Sequence, residues 1–364
     1  MKRIAHICVH VGNGGGGDYI RNLIKHLSHR YEFHIFSPDV ENLTSFIVGK
    51  NVFLHKINTK RIDLCTFIRL TNILKKKKID IVVSHGKGAG IYGRMTGLIL
   101  RLPTFHYFHG FHYSHLSKMG KTLYLASEKI LQYFTSLYCF ISQSEAEKVG
   151  SIVKIKNHKI YVNPNGVDTA VFHPSENLTA EPRAIYLARN DAIKNLKDFA
   201  RLAELSSMSH SNLMFDLVGL DPVELIDPPG SLREIINQAK RLGNFRVLPY
   251  SADPKAILAG GRYYVSTSKG EGLPLAVLQA MSMGLNCVLT DVSGHCDLIE
   301  HGRNGYLIKK SDYYLNEILD TINALENDAS LRVFIGNEAR STVIKKFTHV
   351  THFDAVAASY EDFC

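Results

Sequence analysis

The chain has 364 residues, 45% of them hydrophobic and 21% charged, which excludes a disordered scaffold and allows two domains of roughly 150 to 200 residues each. No segment approaches about 18 uncharged apolar residues, so no membrane-spanning helix is expected; residues 95–108 come nearest but contain Arg101 and Pro103. The net charge of +9 is unevenly placed, because residues 1–175 hold 24 Lys and Arg against 10 Asp and Glu, whereas residues 176–364 hold 19 against 24.

A basic first half suits an anionic partner, either a phosphorylated acceptor or an acidic lipid surface, with a merely solvated basic face as the alternative. Nucleic acid is not expected, since no basic groove interleaved with aromatics is visible. The N-terminal apolar run is too short for a signal peptide. Six cysteines (Cys8, Cys65, Cys139, Cys287, Cys296, Cys364) without a CxxC pattern read as reduced thiols of a cytoplasmic protein.

In chain order, residues 3–11 form a short β-rich run, followed by the glycine loop GNGGGGD (12–18). Next comes YIRNLIKHL, in which Ile20, Leu23, Ile24 and Leu27 have helical spacing. Strands are expected at 32–36, 52–57 and 80–84, with helices at 63–78 and 90–100. A strand at 104–109, a helix at 121–136 and a strand at 137–142 follow. The turn-rich NPNGVD at 163–168 places a domain boundary near residue 165. Beyond it strands are expected at 184–187, 214–218, 245–248, 263–267 and 286–290, and helices at 196–206, 232–242, 254–259 and 274–283. Strand-helix alternation implies right-handed crossovers and parallel sheets. Domains of 1–165 and 166–349 are therefore expected, and a last helix at about 350–364, carrying Phe353, Val356, Ala357 and Tyr360, is expected to pack back on the first.

Three segments carry the chemistry. Glycines including Gly15 and Gly16 lie where the first strand turns into the first helix, where backbone N–H groups and the helix dipole suit a phosphate or sugar. A tight turn is the alternative, and the GxGxxG dinucleotide fingerprint is absent. In YLARNDAIKN, Arg189 and Lys194 follow a strand end, and two cations at the mouth of a parallel sheet suit a diphosphate, with simple solvation as the other reading. In STSKGEGLPLAVLQAMSMG (266–284), Glu271 precedes Gly272 and Leu273, and Gln279 lies eight residues beyond Glu271 on a tightly packed helix, so both polar groups can face one ligand. No Asp-x-Asp occurs; neither a metal nor another cofactor is expected, because the two cations can take a metal's place.

With these segments the sequence resembles glycosyltransferase family 4, the retaining GT-B enzymes, and among them those of bacterial surface-polysaccharide synthesis. The resemblance covers nearly the whole chain and implies an α/β fold of two Rossmann-like parallel-sheet domains facing a central cleft. The family's GGxE loop is GGGD here (Gly15 to Asp18), its NGVD segment is Asn165 to Asp168, and its GR-x4-KN element is ARNDAIKN with Ala188 in place of the glycine. Its E-x7-E signature corresponds to Glu271 and Gln279. By resemblance Arg189 and Lys194 bind the donor diphosphate. Glu271, beside Gly272 and Leu273, contacts the donor sugar, and Gln279 takes the ribose hydroxyls with an amide where a carboxylate is usual.

Two more segments are similar to first-domain elements of the family. SHGKGAGIYGRMTG (84–97) matches an HxxKAGxxGR element, making Lys87 and Arg94 candidates for a phosphorylated acceptor, with a structural ion pair as the second reading of Arg94. FHYFHGFHY (105–113) matches an HG loop, making His109 the candidate catalytic histidine beside Glu271. The implied reaction moves a sugar from a nucleotide diphosphate sugar, expected to be a UDP-sugar, to a lipid-linked saccharide of O-antigen, capsule or exopolysaccharide. The enzyme would work in the cytoplasm, peripheral to the inner face of the membrane, where the LKKKKI run (74–79) favours an anionic leaflet. A nucleotide-sugar epimerase of related fold and a non-catalytic glycan- or nucleotide-binding subunit are the alternatives.

Overall fold

A computed structural model describes residues 1–12, 15–47, 50–59, 61–108, 117–156, 159–174, 182–209 and 212–363. The chain divides into two compact units, Met1–Asn165 with His349–Cys364, and Gly166–Thr348.

The first unit runs β1 (Arg3–Cys8), α1 (Gly15–Leu27), β2 (Glu32–Ser37), β3 (Val52–Lys56), α2 (Leu64–Lys76), β4 (Ile81–His85) and α3 (Lys87–Leu100). It continues with β5 (Thr104–Phe108), α4 (Lys118–Leu131), β6 (Leu137–Phe140), α5 (Gln143–Val153) and β7 (Ile160–Val162). Every strand pairs in parallel, in the order β3-β2-β1-β4-β5-β6-β7. The sheet therefore changes winding direction between β1 and β4, the place where a doubly wound sheet opens a crevice at its carboxyl end. Strands β4, β5 and β6 are buried along their whole length, as a sheet covered on both faces requires.

Helix α3 lies unusually close to that sheet because of its glycines. A Cβ on Gly90 would stand 2.5 Å from His106 Cε1, one on Gly93 2.8 Å from Ser84 Cβ, and one on Gly97 2.0 Å from Thr104 Cγ2. Three glycines on one side of the helix thus replace the usual layer of side chains.

The second unit runs β8 (Arg183–Leu187), α6 (Leu196–Met208), β9 (Met214–Leu220), α7 (Pro222–Ile226), α8 (Gly230–Arg241), β10 (Phe245–Pro249) and α9 (Pro254–Ala259). Then come β11 (Tyr263–Ser266), α10 (Leu275–Ser282), β12 (Asn286–Thr290), β13 (Tyr306–Ile308), α11 (Tyr314–Asn327) and α12 (Ala329–Lys346). Its sheet is parallel throughout, in the order β10-β9-β8-β11-β12-β13, and the switch point falls between β8 and β11. Both units are thus Rossmann-like α/β domains.

The last helix, α13 (His349–Glu361), returns to the first unit. Its Phe353, Val356, Ala357 and Tyr360 are buried in one cluster with Ile20, Leu23 and Ile24 of α1 and Ile4 of β1. Tyr161 Oη donates to Ala355 O at 2.9 Å, Tyr31 Oη donates to Ala357 O at 3.2 Å, and Tyr360 Oη meets His6 Nε2 at 3.1 Å. No helix among the described residues is long and apolar enough to cross a membrane.

Candidate active site

In the second unit the loops that leave β8 and β11, the two switch-point strands, are stitched together. Tyr186 Oη donates to Lys194 O at 2.9 Å and meets Ser268 Oγ at 2.8 Å, and Lys269 N donates to Ile193 O at 2.8 Å. Asn195, in the left-handed region at φ +53°, turns the chain into α6. This frame places Lys194 Nζ 2.7 Å from Glu271 Oε1, with only 20% and 10% of the two side chains exposed. Ser268 Oγ donates to the same carboxylate oxygen. Burial pushes the Glu271 carboxyl up, but the charge of Lys194, with the hydrogen bonds from Lys194 and Ser268, holds it below the ordinary carboxylate value. Glu271 is therefore ionised at neutral pH, and the pair is a true ion pair.

Arg189 stands just past β8 and is exposed, with no hydrogen bond or ion pair to its guanidinium among the described residues. Ala188, at the position where the family pattern has glycine, is buried, and the close approach is made from the other side by Gly219 (φ +123°), whose Cβ would stand 2.9 Å from Ala188 O. Gly272 and Leu273 are buried and lead into α10, whose first turn offers the positive end of the helix dipole. Gln279 is half-buried on that helix and its amide has no partner among the described residues. The structure thus places Arg189, Lys194, Glu271, Gly272 and Leu273 in the loops that follow β8 and β11, with Gln279 at the fifth position of α10.

Two features of this region escape the sequence. Gly294 (φ +84°) lies against the Glu271 loop, where a Cβ would stand 2.5 Å from Gly272 O, and Glu271 N donates to Ser293 O at 3.1 Å. His295 follows, fully buried, with Nδ1 2.8 Å from Thr290 O. A carbonyl can only accept, so Nδ1 carries the proton and Nε2 keeps its lone pair. That Nε2 is buried without a hydrogen-bond partner among the described residues. Burial lowers the His295 pKa, so the ring stays neutral behind the ion pair. With 18 histidines in the chain, only its position after Gly294 could have marked it.

In the first unit the expected residues part company. Gly15 and Gly16 form the first turn of α1. A Cβ on Gly16 would meet nothing nearer than His10 O at 3.8 Å, whereas one on Gly17 would sit 1.8 Å from Gly12 O. Gly17 is therefore the steric requirement, and Gly16 could carry a Cβ in ordinary contact. Asp18 pairs with Arg21. Lys87 begins α3 after Gly86 (φ +82°), and its ammonium lies 4.6 Å from the Tyr124 ring centroid. Burial lowers the Lys87 pKa, against the opposing charge of Glu128.

Arg94 does not reach an acceptor. It is completely buried, donating from Nη1 and Nη2 to Glu128 at 2.6 and 2.9 Å and from Nε to Gly90 O at 2.9 Å. The glycines that sink α3 onto the sheet carry Arg94 inward with it, which corrects its assignment from acceptor ligand to ion pair between α3 and α4. His109 lies outside the described residues.

Two doubly wound parallel sheets, one of them carrying Arg189 and Lys194 in the loop at its switch point, fit the architecture of GT-B glycosyltransferases. Family comparison agrees. Residues 13–171 match the model of Glycosyltransferase Family 4, and residues 169–342 match that of Glycosyl transferases group 1. The chain belongs to glycosyltransferase family 4. It is 30% identical over 320 residues to the UDP-Gal:alpha-D-GlcNAc-diphosphoundecaprenol alpha-1,3-galactosyltransferase of Escherichia coli, covering 82% of this chain and 80% of that protein. It is 25% identical over 354 residues to the capsular polysaccharide biosynthesis glycosyltransferase CapM of Staphylococcus aureus, covering 91% and 90%. The solved structure of Anabaena HepE in complex with UDP and glucose shares the fold, with a TM-score of 0.84 at 17% identity over 100% of both chains.

Proposed function

We propose that this glycosyltransferase moves a hexose, with retention of configuration, from a UDP-sugar to a lipid-linked saccharide during assembly of a bacterial cell-surface polysaccharide. The observation that carries the reading is the Lys194–Glu271 pair, 2.7 Å apart in the loops at the switch point of the second sheet, with Arg189, whose guanidinium has no partner among the described residues, in the same loop as Lys194. Further support comes from the E. coli relative, named for a UDP-Gal donor and a diphosphoundecaprenol acceptor, and from CapM, named for capsular polysaccharide. In this reading the second unit binds the donor and the first unit the acceptor, and the enzyme works in the cytoplasm at the anionic inner face of the membrane. The departing diphosphate gathers negative charge, which Arg189, Lys194 and the start of α10 stabilise without a metal. Glu271 holds the Lys194 ammonium until the donor arrives and then meets the sugar, while Gln279 takes the ribose. His109 contacts the transferred sugar, Gly15 and Gly16 approach the donor through their backbone, and Lys87 remains as the acceptor-side cation.

The test measures UDP release and sugar transfer with and without a polyprenyl-diphosphate-linked acceptor. Transfer that needs the acceptor supports the reading; donor turnover without acceptor would instead identify an epimerase, and no turnover a binding subunit. Lys194→Ala alone is a poor probe, because it strands the Glu271 carboxylate in a buried site at a cost of about 3 kcal/mol or more. Arg189→Ala and the double variant Lys194→Met/Glu271→Gln avoid that cost. Both are expected to lose at least about a hundredfold in transfer, the scale of a lost electrostatic group. Unchanged transfer by Arg189→Ala overturns the assigned site.

A further inference from the structure

Helix α4 of the first unit presents an apolar stripe to solvent. Met119, Leu123, Ile130 and, two residues beyond the helix end, Tyr133 are each at least 60% exposed. Intervals of four and seven residues place Met119, Leu123 and Ile130 in one narrow sector of the helix, and Ala126, also exposed, falls between them. The roll of the helix is set from the opposite side, where Glu128 is locked to the buried Arg94 and Leu131 is buried. The stripe therefore faces outward by construction, and the exposed Lys118 and Lys129 flank it.

Where α4 ends, the stripe runs into a basic pocket of about 370 Å³. Tyr133 belongs to both features, Lys129 flanks the stripe and lines the pocket, and Lys154, Lys156 and Lys159 complete a set of four lysines with no carboxylate among the described lining residues. Lys159 is held in place by the carbonyls of Gln132 and Thr135 at 2.9 and 2.7 Å, and Lys154 caps α5 in the left-handed region at φ +61°. Four like charges around one hollow repel each other until an anion enters. Exposed apolar side chains beside such a hollow lose free energy until they leave water. One partner satisfies both conditions, since a bilayer surface carrying anionic lipids offers phosphates at headgroup level and hydrocarbon just beneath.

We propose that α4 and the adjoining lysine pocket are the membrane-docking surface of the enzyme. Met119, Leu123 and Ile130 enter the boundary between headgroups and acyl chains, Tyr133 rests at the headgroup level, and Lys129, Lys154, Lys156 and Lys159 take a lipid phosphate. This surface rests on the reading of the acceptor as lipid-linked, and it lies on the unit assigned to that acceptor. This surface, rather than the basic run Lys75 to Lys78 at the end of α2, is the proposed docking element.

Flotation of the full chain with vesicles of phosphatidylglycerol and phosphatidylcholine, against phosphatidylcholine alone, tests the assignment. The chain is expected to bind the anionic vesicles and not the neutral ones. Leu123→Glu and Ile130→Glu should each weaken binding about tenfold or more, given the loss of a buried leucine-sized group. Lys129→Gln, Lys154→Gln and Lys156→Gln should each weaken it about fivefold, the effect of one cation near an anionic surface. Lys75→Gln with Lys76→Gln should leave it within twofold. All these side chains are exposed, so melting temperatures should hold, and transfer to a water-soluble acceptor without the polyprenyl chain should stay unchanged.

Failure of the wild-type chain to bind, or binding indifferent to the α4 and pocket variants, overturns the surface. So does a dimer in light scattering that Leu123→Glu dissociates, which would mean that a second copy covers the stripe. Inorganic phosphate that binds the pocket with no preference for anionic vesicles overturns it as well. Absence of transfer to either acceptor would refute the functional reading instead, and vesicle binding separates the two failures.

Discussion

Arg94 and Lys194 are each paired with a glutamate, and burial separates their roles. Arg94 and Glu128 are 0% and 2% exposed and share two hydrogen bonds. Removing one partner of such a pair costs roughly 3–5 kcal/mol, because the other charge stays buried. Arg94→Met is therefore expected to lower the melting temperature by about 10 °C, at roughly 2–4 °C per kcal/mol, while transfer per folded molecule at low temperature stays within twofold. A variant that melted normally yet lost transfer would restore Arg94 to the acceptor site. Buried histidines make a second prediction at this scale. Burial lowers His6 to about 3 and His352 to about 4 from an ordinary value near 6.5. Between those limits the unfolded chain takes up protons that the folded chain refuses, so the stability these rings carry is complete above pH 6.5 and is lost as pH falls. By pH 5 each has cost about 2 kcal/mol, at about 1.4 kcal/mol per pH unit. Urea unfolding at pH 7.5 and pH 5.0 measures the difference, and equal midpoints would contradict it. The sequence marks both Lys194 and Glu271, but their contact spans 77 positions, and no local pattern reports a pairing over that distance. His295 is silent for the opposite reason: its significance is its tertiary neighbours, not its spacing.

Elements are legible where an apolar period and a glycine signal coincide. Strand–helix alternation is enough to define two parallel sheets, because a parallel pair needs a crossover and the crossovers here are helices. The fold class follows from that. Residues 291–349 carry no expected element, yet they hold β13, α11 and α12. Helix α12 buries only Ile335, Gly336, Ala339 and Val343, and a Cβ on Gly336 would stand 2.4 Å from Gly284 O. A helix that packs through small residues leaves a thin stripe, and β13 has three residues, too few to show alternation. The glycine loop shows the converse. Four consecutive glycines look equivalent in the sequence, but only the packing distinguishes Gly17, whose Cα abuts the Gly12 carbonyl, from Gly16, where a Cβ would make only an ordinary contact with His10 O at 3.8 Å. Gly17→Ala is expected to force α1 away from its loop and cost at least about 2 kcal/mol, as overpacking does. Gly16→Ala is expected to hold its melting temperature and, on the proposed approach of this loop to the donor, to weaken UDP-sugar binding. Thermal melts with and without UDP-sugar separate the two effects, and equal loss of stability by both variants would mean that the loop is only a turn.

At the scale of the whole molecule, the chain crosses between its units twice, after Asn165 and after Thr348, so the first unit is completed by the last helix. Phe353, Val356 and Tyr360 of α13 are buried among residues of β1, β2 and α1. Burying each side chain is worth about 1.5–3 kcal/mol, so together they match much of the roughly 5–15 kcal/mol by which a domain is stable. A chain ending at Thr348 is therefore expected to lose the cooperative transition of its first unit. The second unit, Gly166–Thr348, keeps Arg189, Lys194, Glu271 and Gln279 and all six strands of its own sheet. If the donor site belongs to that unit, UDP added at about a hundred times its dissociation constant should still stabilise the surviving transition by about 2.7 kcal/mol, a rise of several degrees. Calorimetry of the shortened chain with and without UDP reads both effects at once. A surviving transition that UDP leaves in place would mean that binding of the nucleotide itself needs the first unit, beyond the backbone approach of Gly15 and Gly16, and that the Lys194–Glu271 pair alone is not sufficient to hold a nucleotide.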